Sequence, residues 1–309
     1  MPAQPWPRIT VIGAGAVGCY YGGMLARAGA PVTLIGRATH VEAIARDGLY
    51  LEGTRVHERI RVGAATDIAA VAGSEIVLVC VKTTDTDETA RLLAPRLGDR
   101  AQIISLQNGV DNVERMHAAA GLAPLAAAVY VAAEMAGPGH VRQSSRGDLV
   151  IGDPLKKASG AQLSVLEELF NRADIPCVVT DDIKAALWKK LVLNCTYNAI
   201  SALSRARYGR IVRDPGTRVL LTRAAAETVA VANAAGVQID LEEQIAAGLK
   251  LGEIMPDALS STAQDIARGK RTEIDSLNGY VARLGEELGV PTPINYTLCK
   301  LVKLLEEAA

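Results

Sequence analysis

A chain of 309 residues is longer than one ordinary hydrophobic core supports, so two domains are expected. With 49% hydrophobic and 22% charged residues, it has the make-up of a soluble globular enzyme. Its 33 basic and 34 acidic side chains leave no electrostatic footprint for nucleic acid or an anionic membrane surface.

The cysteines Cys19, Cys80, Cys177, Cys195 and Cys299 form no CxxC pair and sit in apolar stretches. They read as reduced thiols of a cytoplasmic protein, with no disulfide framework and no metal site. Pro2, Pro5 and Pro7 stand where a signal peptide needs an apolar helix. No window approaches the ~18 uninterrupted apolar residues of a membrane span.

Along the chain, strand-like runs rich in β-branched residues fall at 9–12, 32–35, 75–81 and 101–106, with weaker ones at 125–131, 149–152 and 177–180. Helical patterns at 16–29, 84–97 and 111–120 lie between them. Strands bounded by helices predict βαβ units and a mostly parallel sheet of Rossmann type, covered on both faces. From about Asp181 the pattern becomes wholly helical. Asp181 and Asp182 can cap a helix reaching about Ser204, and Asp214-Pro215 opens another to about Ala235. Further helices are expected over 240–252, 260–268, 273–288 and 293–307. The fold class is therefore α/β, with an N-terminal sheet domain over 1–180 and an all-helical C-terminal domain over 181–309. No repeat or low-complexity segment appears.

The loop Gly13-Ala14-Gly15-Ala16-Val17-Gly18 follows the first strand at once and opens the first helix. A lone GxGxxG is a weak signal, but this one has the context of a dinucleotide site. The first glycine makes the turn, the second admits a pyrophosphate to the backbone, and the third lets helix and strand pack. The end of the next strand then discriminates between cofactors. An acid there suits the ribose hydroxyl of NAD; an arginine suits the 2′-phosphate of NADP. Arg37 stands nineteen residues beyond Gly18, with no acid before Glu42, which points to NADPH. Lys82 and Asn108 end the strands that follow, where ligands bind in parallel sheets. On local grounds a solvated cation and a simple Asn108-Gly109 turn explain them equally well.

In the helical half, Lys190, Asn194 and Asn198 are spaced i, i+4 and i+8 and share one helix face. Leu187, Leu191, Val192, Leu193, Cys195 and Ile200 make much of the remaining circumference apolar. Two asparagines and a lysine on a largely buried helix need a polar partner, either a structural hydrogen-bond network or a ligand. Ser261 and Glu273 could face that ligand, or Ser260 and Thr272 could be caps with Glu273 a first-turn acid. His40, His57, His117 and His140 all lie in the first half, so a proton donor from the helical half would be a lysine.

These residues resemble the ketopantoate reductase family (2-dehydropantoate 2-reductases) over nearly the whole chain. The similarity is carried by the Gly13–Gly18 loop, Val81-Lys82, Gln107-Asn108-Gly109, the helix from Trp188 to Cys195, the stretch from Ser261 to Asp265, and Thr272-Glu273-Ile274-Asp275 with Asn278-Gly279. The resemblance implies hydride transfer from NADPH to the C2 ketone of 2-dehydropantoate, giving pantoate for pantothenate synthesis. It makes Lys190 the general acid and Glu273 its polar partner. Asn108, Asn194, Asn198 and Ser261 would contact the substrate, and Lys82 and Asn108 the cofactor. Many pantoate-forming members carry an asparagine after the catalytic helix, where this chain reads Tyr208-Gly209-Arg210. The stretch from Glu134 to Gly139 with Ser145-Arg146-Gly147 is similar to a broader branch of the family. Two alternatives stay open: a related reductase of another 2-oxo or β-hydroxy acid, and a non-catalytic NADPH sensor, which would not need the Lys190 stripe. A homodimer formed through an apolar helical face is compatible with the sequence.

Overall fold

The computed structural model describes residues 5–54, 56–144 and 147–308; Ser145 and Arg146, singled out above, lie outside them. The chain forms two compact units. One runs to Gln107 and resumes over Asp111–Ile183; the other comprises Asn108–Val110 and Lys184–Ala309.

The first unit opens with β1 (Ile9–Ile12), α1 (Ala16–Arg27), β2 (Val32–Ile35), α2 (Ala38–Asp47), β3 (Leu49–Glu52), β4 (His57–Ile60) and β5 (Gly63–Ala65). β6 (Ile76–Val79), α3 (Thr86–Leu93), β7 (Gln102–Ser105), α4 (Asn112–Ala120) and β8 (Leu125–Tyr130) follow. β9 (Ala133–Gly137), β10 (His140–Gln143), β11 (Asp148–Gly152), α5 (Gly160–Arg172) and β12 (Cys177–Val179) complete it. The main sheet has the order β12-β11-β8-β7-β6-β1-β2-β5, parallel throughout except for β8 against β11. β1 and β6 are buried at every position, which is why β6 reads as an unbroken apolar run and β1 as one interrupted only by Thr10. The order reverses at β1, with β2 on one flank and β6 on the other. Such a switch point, at the carboxyl ends of the strands, is where open α/β sheets bind ligands.

The expected Rossmann-type sheet is present, with differences at its margins. α1 stops at Arg27 because Gly29 takes φ +99°, a left-handed conformation that closes helices. The helix expected over 84–97 contracts to α3, since Pro95 opens a separate 3₁₀ turn at Ala94–Arg96. Four strands not expected from the sequence form a second sheet, β4-β3-β10-β9. α2 and α5 were not expected either, although Ser159 and Gln162 form a reciprocal capping box at the start of α5.

The second unit contains α6 (Ile183–Ser204), α7 (Tyr208–Arg213), α8 (Pro215–Ala234), α9 (Leu241–Ile254), α10 (Ser261–Ala267), α11 (Asn278–Leu288) and α12 (Pro293–Glu307). No strand occurs in it among the described residues. The Asp214 carboxylate accepts the Thr217 N–H at 2.8 Å and Pro215 fills the first helical position, as the Asp-Pro signal predicts. α6 is the axis of the unit: Trp188, Leu191, Val192 and Cys195 pack with Ala225 and Val229 of α8 and Val281 of α11. Burial contributes roughly 1.5–3 kcal/mol for each large apolar side chain, so rotation of α6 about its axis is strongly resisted. Among the described residues no helix is long and apolar enough to cross a membrane, and no His, Cys, Asp and Glu cluster could hold a metal.

Candidate active site

The glycine loop of the first unit is shaped by close approach. Gly13 has φ +105°, and a Cβ there would lie 2.8 Å from the Cys80 carbonyl and from the Val81 nitrogen. Only glycine lets the ends of β1 and β6 pass at that distance. A Cβ on Gly18 would lie 2.1 Å from the Gly13 carbonyl oxygen, so the first turn of α1 folds directly onto the loop. Gly15 is different: a Cβ there would meet nothing within 4 Å. It is the N-cap of α1, with no side-chain cap and no acid in the first turn. The N–H groups of Ala16, Val17 and Gly18 have no intrahelical acceptor at that position. Open space before a helix N-terminus fits a phosphate on both sterics and charge.

The next strand joins this loop. The Ile35 carbonyl accepts the N–H groups of Gly13 and Ala14 at 2.8 and 2.9 Å. A Cβ on Gly36 would come 2.5 Å from that of Ala14, so the chain entering Arg37 runs against the loop. Arg37 is exposed, and its guanidinium makes no hydrogen bond or ion pair with a described residue. Lys82 caps the 3₁₀ turn after β6, one residue beyond the Val81 that touches Gly13. The structure thus gathers Gly13 to Gly18, Arg37 and Lys82 at the carboxyl ends of β1, β2 and β6, and these residues suit a dinucleotide.

The second unit holds a polar group of another kind. Lys190 Nζ donates to Asn108 Oδ1 at 2.9 Å, and Asn108 Nδ2 donates to Glu273 Oε2 at 3.0 Å. An ammonium can only donate and a carboxylate can only accept, so the orientation of the carboxamide between them is fixed by chemistry. Burial draws the Lys190 ammonium down from 10.5 to about 8, while the Glu273 carboxylate pulls it upward. Glu273 stands on an anchored turn: Thr272 Oγ1 accepts the Ile274 N–H at 3.2 Å, and the Thr272 N–H donates to Glu306 at 2.6 Å. Asn108 thereby has a place that sequence reasoning missed, the bridge between ammonium and carboxylate. Its separation from both partners along the chain hides it from any local pattern.

The other residues of the stripe are placed on α6 as the spacing predicts. Asn194 is half-buried and Asn198 buried, and neither carboxamide bonds another described residue. Ser260 is the cap of α10, accepting from the Ala263 N–H at 3.0 Å. Its own hydroxyl donates to the Asn198 carbonyl at 3.1 Å, which brings the exposed Ser261 to the Asn198 end of the stripe. A separate buried network lies outside the stripe: Asn278 donates to the Cys195 carbonyl and to Asn295, which in turn donates to Glu227. Lys189 points away from Lys190 and pairs with Glu243 at 2.8 Å on the surface. Tyr208 opens α7, a short helix the sequence did not reveal, with its ring centroid 4.2 Å from that of Tyr197.

Comparison with known proteins completes the picture. Residues 9–156 match the family model "Ketopantoate reductase PanE/ApbA", and residues 182–306 match "Ketopantoate reductase PanE/ApbA C terminal". A 2-dehydropantoate 2-reductase of Halobacterium salinarum is 33% identical, with 97% of this chain and 99% of the relative aligned. The crystal structure of a PanE/ApbA family ketopantoate reductase from Ralstonia eutropha JMP134 is 46% identical, with TM-score 0.90, over 97% of this chain and 99% of that one. A D-mandelate dehydrogenase solved with NADH and anilino(oxo)acetate shares the fold, with TM-score 0.92 at 22% identity, over 97% of this chain and 98% of that one.

Proposed function

The chain belongs to the ketopantoate reductase family, and on that premise we propose that it is an NADPH-dependent 2-dehydropantoate 2-reductase with Lys190 as its general acid. The product would be pantoate, a precursor of pantothenate. The observation that carries the reading is the Lys190–Asn108–Glu273 triad, in which burial brings an ammonium to about 8 while one amide and one carboxylate hold it. Such a group is protonated at neutral pH yet gives up its proton readily, which is what a general acid needs. A non-catalytic sensor has no use for it.

In this scheme residues 1–180 bind the cofactor and 181–309 supply the acid and the substrate contacts. The α1 N-terminus with Gly13 to Gly18 takes the pyrophosphate, Arg37 the 2′-phosphate, and Lys82 and Asn108 flank the rest. A nicotinamide dinucleotide bound there supplies the hydride for the ketone carbon. Lys190 passes its proton to the oxygen of that ketone as negative charge develops on it, then regains a proton from water as a neutral amine. Asn108 keeps the ammonium aimed and Glu273 favours its charged form. Asn194, Asn198 and Ser261 have polar groups to offer the hydroxyl and carboxylate of the substrate. All five cysteines are free thiols, the state that a cytoplasm maintains.

Tyr208, packed against Tyr197 where many pantoate-forming members carry asparagine, favours one second reading, in which a different 2-oxo acid is the substrate. NADPH consumption by the purified chain with 2-dehydropantoate and a panel of 2-oxo acids separates the two. In the same assay Lys190→Ala should lower kcat by at least roughly a hundredfold, with Lys189→Ala near wild type. A Lys190→Ala rate within a few-fold of wild type would sink the mechanism.

A further inference from the structure

Four buried polar side chains form a hydrogen-bonded chain around the loop that carries Asn108. Ser105 Oγ donates to Gln107 Oε1 at 3.0 Å, Gln107 Nε2 donates to Thr86 Oγ1 at 2.8 Å, and Thr86 Oγ1 donates to Asn112 Oδ1 at 2.9 Å. None of the four is more than 4% exposed. Burying polar groups costs free energy unless each is bonded, and apolar residues would fill the end of a sheet more cheaply. A directional chain here therefore asks for a positional purpose.

Its connectivity supplies one. Ser105 is the last residue of β7 and Gln107 is the near foot of the loop 108–111. Asn112, the first residue of α4, is the far foot. Thr86, the first residue of α3, bonds both feet. Between them Gly109 sits at φ +89°, a conformation that turns the chain sharply. The loop is pinned at each end, and its first residue is the Asn108 that Lys190 donates to.

We propose that Gln107, Thr86 and Asn112 are positioning residues of the reductase, a clasp that acts through Asn108 to hold the Lys190 ammonium in place. The proposal rests on the reading of Lys190 as the acid. The clasp fixes the peptide, the peptide fixes the carboxamide, and the carboxamide fixes the ammonium. Misplacing a catalytic group by about 1 Å can cost on the order of a hundredfold in rate.

The test uses Thr86→Val, which removes the hydroxyl at nearly constant volume and breaks both of its hydrogen bonds, and Thr86→Ser, which keeps them. Amide hydrogen exchange across 108–111 should rise at least roughly tenfold in Thr86→Val and stay near wild type in Thr86→Ser. kcat should fall roughly tenfold or more in Thr86→Val, with KM little changed, and recover in Thr86→Ser. In an Asn108→Ala background, Thr86→Val should add no more than about a twofold loss, because the residue it acts through is gone. Equal losses in both backgrounds, or unchanged exchange, would overturn the clasp. If Thr86→Val fails to fold, Gln107→Met cuts the same chain and is read by the same two measurements. A wild-type rate for Lys190→Ala would refute the acid assignment on its own, while the exchange data still decide whether the clasp holds the loop.

Discussion

Replacing Lys190 by methionine should lower activity and raise stability at once. Methionine keeps the length and flexibility of the side chain without its charge. In the folded protein the ammonium titrates at about 8 against an ordinary 10.5. Near pH 7, below both values, the folded state therefore bears the full cost of a poorly solvated charge, about 3 kcal/mol. Losing the Asn108 hydrogen bond with the ammonium offsets about 1 kcal/mol of the relief. Lys190→Met should thus be about 2 kcal/mol more stable near pH 7. The pH dependence follows from proton counts. Between about 8 and 10.5 the unfolded chain holds more protons at this site than the folded one, so wild-type stability rises with pH across that window. The advantage of Lys190→Met should shrink between pH 8 and 10.5 and be largest below pH 8. Chemical denaturation of both proteins at pH 7 and pH 10, beside their NADPH-dependent rates, measures it. A variant less stable at pH 7, or an equal gap at both pH values, would refute the claim that burial depresses this lysine.

Arg37→Ala should weaken NADPH roughly ten- to a hundredfold and leave NADH nearly unchanged, as for a lost charge-assisted phosphate contact; titration of both cofactors reads it, and an unchanged ratio places phosphate recognition elsewhere. Asn194→Ala and Asn198→Ala should raise KM or lower kcat/KM with the unfolding midpoint nearly constant, since neither carboxamide bonds another described residue. A loss of about 2 kcal/mol in both would make them structural instead. Glu273→Gln removes the carboxylate that raises the Lys190 value, so the alkaline limb of kcat, expected near pH 8, should move to lower pH. A limb that stays put would separate Glu273 from the acid.

The main sheet was readable because burial on both faces removes polar alternation. β1, β2, β6 and β7 are short strands dominated by Ile, Val and Leu, and the expected runs match each to within a residue or two. The second sheet was not, for the converse reason. β4 reads His57-Glu58-Arg59-Ile60, with three exposed residues, and Glu58 pairs with Arg27 at 2.5 Å. Such a strand has no inward face to betray it. β10 gains its parallel partner from β3, far earlier in the chain, through pairs such as His140 with Tyr50 that no local window contains. α5 is hard to read from sequence although Ser159 and Gln162 spell a capping box, which marks where a helix starts only once a helix is suspected.

Within the site the same division holds between what is local and what is assembled. Lys190, Asn194 and Asn198 are four residues apart on α6, so their common face is a property of the helix and could be stated in advance. Glu273 could not be placed by periodicity, because it sits on a turn between α10 and α11 whose backbone is anchored by Thr272 and Glu306 and has no helical phase. Asn108 lies furthest from sequence logic. As part of Gln107-Asn108-Gly109 it is indistinguishable from an ordinary Asn-Gly turn, and it becomes a bridge only because its carboxamide has an ammonium on one side and a carboxylate on the other. A glycine loop declares itself through spacing, because its constraint is steric and lies within the loop and its neighbouring strand. A buried ammonium does not, because its titration is lowered by burial in the assembled fold and raised by a carboxylate from a distant stretch of chain.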